Sequence, residues 1–173
     1  MIWSDFGPTT AYRMHAPRWA TESVSGAGAA THGGRANRPG TPALYLALDS
    51  QTAVREYQQL SPLMPPGTLV SYTVQIAPVL DFRAGYNPSR WPESWSGFNC
   101  DWRDLWFNQR TAPPSWLLAE EAMQDSAKGI VFASTLMPGG FNLVVYPNML
   151  GAHDLIQVHD PAGMLPKNQR SWQ

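Results

Sequence analysis

Cysteine is nearly absent: the 173-residue chain has one, Cys100. A single thiol excludes an internal disulfide and suits a reducing compartment, so a cytoplasmic location is expected. Charge is also scarce. Charged residues make up 14% of the chain and the formal net charge is −1. That balance leaves no electrostatic case for a nucleic-acid partner, so any phosphate recognition must be local. Apolar runs fall far short of the roughly 20 residues a bilayer-crossing helix needs, and no membrane span is expected. Residues 1–10 lack a basic region followed by an apolar core, and no signal peptide is expected there. His153 and His159 have no third ligand near them in sequence, so no metal site is expected. The chain also lacks an internal repeat, a P-loop and a Gly-x-Ser-x-Gly elbow. GAGAATHGG neither follows a clear strand nor opens a helix, so a dinucleotide-binding fingerprint fits poorly.

What is present is apolar and aromatic. Apolar residues are 43% of the chain, enough for one domain with a real core. There are 8 tryptophans and 16 prolines, and most tryptophans fall between Trp91 and Trp116. Two readings are open for them: packing in core and loops, or an exposed aromatic surface for a partner or a sugar.

The order of elements is legible in outline. Tyr12-Arg13-Met14 starts a first strand, and residues 17–22 form a helical turn. Residues 23–40 are a glycine-rich loop. Residues 43–48 are a short apolar strand carrying Tyr45. A helix from about Thr52, capped by Asp49 or Ser50, carries Glu56. Residues 68–76 alternate cleanly, with Val70, Tyr72, Val74 and Ile76 on one face, as in a half-buried strand. Residues 78–82 are read as another strand. Residues 83–100 form a long irregular loop, which inside a compact domain is often functional. Helices are expected over residues 101–110 and 115–126, the second capped by Ser115 and covered by Trp116, Leu117, Ala119, Ala122 and Met123. Three short strands follow at 129–134, 141–146 and 155–158, and residues 161–173 read as a polar tail.

The chain turns on SGAGAATHGGRANRPGTPALYLALDSQTAVREYQQL, residues 25–60. Its glycines, among them Gly34, allow a tight turn whose amides form an anion-binding concavity and which delivers Arg35. An arginine fork grips phosphate oxygens. Tyr45 brings an aromatic face and Glu56 a carboxylate. Ala53, Tyr57 and Leu60 form the helix's apolar stripe, and Glu56 falls at its edge, where partial desolvation favours function. The other reading of Glu56 is a rim residue paired with a nearby arginine. His32 and Asn37 flank the turn; one is a possible donor to a ligand or a solvated bystander, the other a ligand contact or a turn stabiliser.

The same run resembles the opening of the RES-domain toxins, named for an arginine, a glutamate and a serine. GIVFAS resembles the family's strand that ends in the serine, and GGFNLVVYPN the segment after it. The resemblance spans roughly residues 12–160. It implies that Arg35, Tyr45, Glu56 and Ser134 are the catalytic set, and Asn37 also matches the family's loop; Gly34 and His32 of the same loop are expected beside them at the substrate. Ala36 departs from the tryptophan the family often has there. The implied fold is a single mixed α/β (α+β) domain, a central twisted, mostly antiparallel sheet flanked by helices, like the catalytic core of ADP-ribosyltransferases. The implied activity is that of a toxin that cleaves the nicotinamide–ribose bond of NAD without a metal. Water, phosphate or a protein side chain would be the acceptor. A cognate Xre-like antitoxin would cover the cleft, and the Trp91–Trp106 region would suit partner or target docking. Two other readings stay open: a non-catalytic nucleotide- or partner-binding module in which Arg35 and Glu56 form a structural ion pair, and an aromatic-rich sugar-binding domain.

Overall fold

The computed structural model describes residues 1–170. Six strands form one sheet: β1 (Trp3–His15), β2 (Leu44–Ala47), β3 (Thr68–Phe82), β4 (Gly129–Ala133), β5 (Phe141–Val145) and β6 (Leu155–Val158). Their order is β1-β2-β5-β4-β3-β6, and β3 also pairs with β1. Five strands therefore close on themselves into a barrel, and β6 lies outside the ring. The expected sheet is mostly antiparallel, as found; only β3 and β4 run parallel. It is also closed, where the sequence reading had only a twisted sheet flanked by helices. Closure rests on one pair, Tyr12↔Ala47, and such long-range registers leave no local trace in sequence.

β3 makes the barrel possible. One edge follows β1 along its length. Its other edge pairs with β6 at residues 72–75 and then with β4 at residues 79–82. The two segments read separately are thus one strand. The first strand is likewise longer than its Tyr-Arg-Met start, because Trp3, Ser4 and Phe6 pair with the far half of β3.

Alternation sorts the side chains into two cores. Leu44, Leu46, Val131, Leu143 and Val145 point inward with Val70, Tyr72, Val74 and Ile76. Ile130, Phe132, Val144 and Tyr146 point outward, under α3 (Pro114–Gln124) and the loop that holds Trp91, Trp95 and Phe98. The aromatic loop is therefore core. Trp91, Trp95, Phe98 and Trp102 are all buried, which bears out the packing reading for them and corrects the docking-surface reading. Phe82 stands at the centre of the cluster, 4.9 Å from Trp91, 5.3 Å from Trp95 and 5.0 Å from Phe98 between ring centroids.

Two details of α3 differ from expectation. Ser115 is not its cap but a fully buried residue of its first turn, and Leu118 takes the buried place expected of Leu117, which is exposed. No helix among the described residues is long and apolar enough to cross a membrane.

Where β4 begins, on the side that faces the barrel interior, it meets β5 without room to spare. A Cβ on Gly129 would fall on the carbonyl oxygen of Val144, within the β4–β5 ladder. Gly129→Ala should therefore cost about 3 kcal/mol, the upper range for overpacking. The urea midpoint of unfolding measures it; an unchanged midpoint would mean that the two strands separate freely.

Candidate functional site

The site is built on the outer face of β2, β4 and β5. Strand alternation turns Tyr45, Phe132 and Asn142 to this side, away from the barrel interior. Above them lie α1 (Ala27–His32) and α2 (Ser50–Gln58). The glycine-rich stretch thus contains a helix that sequence composition concealed. Together these elements wall a cavity of about 900 Å3, lined among others by Gly34, Arg35, Tyr45, Glu56, Asn142 and Arg103.

Arg35 sits in a tight turn. Gly33 ends α1 with φ +79°, a left-handed conformation suited to glycine. Gly34 N–H then donates to Asn37 C=O at 2.9 Å, leaving Arg35 and Ala36 at the tip. Two tyrosines hold that tip: Ala36 N–H donates to Tyr45 Oη at 2.9 Å, and Tyr146 Oη donates to Ala36 C=O at 3.0 Å. Trp116 Nε1 donates to Gly34 C=O at 2.6 Å. Ala36 is fully buried.

The same bonds correct the expected anion-binding concavity. The amides of Gly33, Gly34 and Ala36 all donate within the protein. The guanidinium is the cation this turn presents to the cavity. Arg35 Nη1 donates to Phe98 C=O at 3.2 Å and Cys100 C=O at 2.9 Å. Nε and Nη2 have no partner among the described residues, so a fork-shaped edge is free. Burial pushes the Arg35 guanidinium down from its usual value, opposed by Cys100, Tyr45 and Glu56. An arginine stays cationic through such shifts.

Tyr45 is a positioning residue as well as a wall. Its hydroxyl accepts from Ala36 and donates to Asn37 Oδ1 at 2.8 Å. Burial pushes its phenol far above the ordinary range, so it neither gives nor takes protons near neutrality. A Cβ on Gly34 would strike that hydroxyl, 2.5 Å away.

Glu56 is held by one oxygen. Asp49 caps α2 by accepting from Thr52 N–H at 2.7 Å, which sets the helix phase. Glu56 Oε1 then accepts from Ser134 Oγ at 2.7 Å and from Asn142 Nδ2 at 2.6 Å. The Ser134 proton has nowhere else to go, because its oxygen accepts from Leu136 and Met137 N–H at 3.1 and 3.0 Å. Glu56 Oε2 has no partner among the described residues. The carboxylate is thus fixed by one oxygen and open at the other.

A family model of the RES domain matches residues 10–168. The chain belongs to the RES domain family. Its fold is also that of a chain in the crystal structure of the M. tuberculosis MbcT–MbcA toxin–antitoxin complex, with TM-score 0.63 and 21% identity over 91% of this chain and 85% of that one. No curated protein matches the chain.

Of the residues picked out in sequence, the RES fold brings Gly34, Arg35, Tyr45 and Glu56 to one cavity, with Ser134 bonded to Glu56 from outside its lining. It does not bring His32 or Asn37 there. His32 is exposed at the end of α1. Asn37 is buried and spent on the turn, donating to the carbonyls of Ala29, Arg38 and Thr41. Arg35 and Glu56 form no ion pair among the described residues. Leu60 lies past the end of α2 and is 89% exposed, so it does not extend the stripe. Sequence reading missed Asn142, Tyr146, Trp116 and Arg103. Asn142 left one signal, an amide inside the apolar run FNLVV.

Proposed function

We propose that the cleft binds NAD and breaks its nicotinamide–ribose bond, and that the protein is the toxin of a toxin–antitoxin pair. The observation that carries the reading is the Glu56 carboxylate, fixed through Oε1 with Oε2 open, beside the free fork of Arg35. The cavity lies within the range of about 300–1,000 Å3 usual for small-molecule sites. It offers one cation for phosphate, one carboxylate for ribose and aromatic walls for the bases. By family analogy, the barrel corresponds to the catalytic core of ADP-ribosyltransferases.

The chemistry follows from where charge moves. As the C1′–N bond breaks, its electron pair leaves with nicotinamide, which goes from cationic to neutral and needs no acid. Positive charge appears on C1′ and the ring oxygen of ribose. Glu56 Oε2 accepts from a ribose hydroxyl and faces that charge as it forms. Arg35 holds a phosphate that is charged throughout, and the Tyr45 ring walls the nicotinamide. An acceptor (water, phosphate or a protein side chain) then bonds to C1′.

Pure protein incubated with NAD should release nicotinamide, and its expression alone should arrest growth until an antitoxin is supplied. The likeness of the fold to a chain of the MbcT–MbcA toxin–antitoxin complex supports that partner. Folded protein that leaves NAD intact would end the reading.

Ser134 is expected to act through Glu56. Ser134→Ala removes one donor to Oε1 and leaves the Leu136 and Met137 amides without their acceptor, at a cost of about 1–3 kcal/mol. Nicotinamide release should slow about tenfold at saturating NAD, with KM little changed. Ser134→Thr restores the hydroxyl and should recover most of the rate. A KM effect alone would place Ser134 at the substrate rather than behind Glu56.

A further inference from the structure

We propose that Arg103 pairs with Arg35 to grip a diphosphate, one guanidinium for each phosphoryl group. The inference rests on the nucleotide reading of the cleft and names the part of the ligand that the second cation takes.

Both arginines line the same cavity. They are also carried by one segment. Arg35 is tied to the carbonyls of Phe98 and Cys100, and from Cys100 the chain runs directly to Arg103. There Arg103 enters a π-helical turn, Asp104–Asn108, a form of backbone that gathers at functional sites. Its guanidinium carbon rests 4.7 Å from the ring centre of Trp102, whose indole is buried. The side chain is therefore propped, although exposed.

Neither cation has an anion of its own. The ion pairs among the described residues are Arg38–Glu120, Arg83–Asp81 and Lys128–Asp154. Besides Glu56, two carboxylates share the wall, and each accepts a bond on its own turn. Asp101 Oδ1 accepts from Asp104 N–H, and the Asp104 oxygens accept from the side chains of Asn108 and Gln109. Arg103 and Arg35 are near enough to repel, since the charge of Arg103 helps to lower the ionisation of Arg35. Glu56 acts on Arg35 in the opposite sense and outweighs it, yet it forms an ion pair with neither arginine among the described residues. Two like charges on one wall favour an anion that satisfies both. A single phosphate fills one fork, whereas a diphosphate presents an oxygen pair to each.

The test is titration calorimetry on the full chain with inorganic pyrophosphate, orthophosphate and ADP-ribose. Arg103 is exposed, so Arg103→Gln should fold as the wild type does, which thermal unfolding checks. Arg103→Gln should weaken pyrophosphate and ADP-ribose on the order of 10- to 100-fold and orthophosphate less than threefold. Arg103→Lys should fall between, keeping the charge without the fork. Arg90→Gln, exposed and outside the cavity, should change nothing. Pyrophosphate that binds wild type no more tightly than orthophosphate, or within twofold of wild type in Arg103→Gln, overturns the pairing. Arg103-dependent pyrophosphate binding by a protein that releases no nicotinamide supports the pairing and removes only the NAD reaction.

Discussion

Glu56→Gln should lower nicotinamide release on the order of 100-fold or more while leaving NAD affinity nearly unchanged. Glutamine keeps an oxygen to accept from Ser134 and Asn142, so the side chain stays where the carboxylate was. What changes is the other end. Oε2, open at the cavity wall, becomes an amide that donates where the carboxylate accepted, and the negative charge is gone. That charge matters only when cation character develops on ribose, so the loss falls on kcat. Calorimetry with NAD and chromatography of released nicotinamide separate the two effects. Near wild-type turnover would take Glu56 out of the mechanism.

Phe98→Ala should cost about 3–5 kcal/mol, as for other buried aromatic truncations, and lower Tm on the order of 10 °C. Phe98 is fully buried and touches the rings of Phe82, Trp95 and Phe132 at centroid distances of 5.0, 5.5 and 5.5 Å. Its loss leaves a void between the loop and the barrel wall that rigid neighbours cannot fill. Its carbonyl also carries Arg35. The variant should therefore bind ADP-ribose more weakly even well below its Tm, because the loop that seats the guanidinium shifts. Scanning calorimetry and ligand titration report the two effects. A Tm within a few degrees of wild type would mean that the aromatic cluster repacks.

How much of this was legible depended on range. Glu56 could be seen because the α2 stripe and the Asp49 cap lie within a few residues of it. The alternation of β3 named its inward face correctly. The barrel could not be seen, because Tyr12 meets Ala47 through a register that no local pattern encodes. Nor could the partner of Glu56 in β5. Asn142 looks like a flaw in an apolar strand until the fold turns it toward α2. The tryptophan-rich loop stayed ambiguous for a different reason: prolines and glycines mark irregular backbone, and irregular backbone does not reveal which way its rings face. α1 stayed hidden because its residues, AGAATH between flanking glycines, carry no large apolar stripe.

The Glu56 clamp has a temporal side. Ser134 and Asn142 follow Glu56 by 78 and 86 residues. During synthesis the carboxylate leaves the ribosome long before either donor exists, and Arg35 emerges without the carbonyls that seat it. Contacts of such sequence separation form only once the chain has closed on itself. A half-made chain carries every residue of the opening stretch and none of the geometry, so whatever the finished cleft does is absent while the chain is being made.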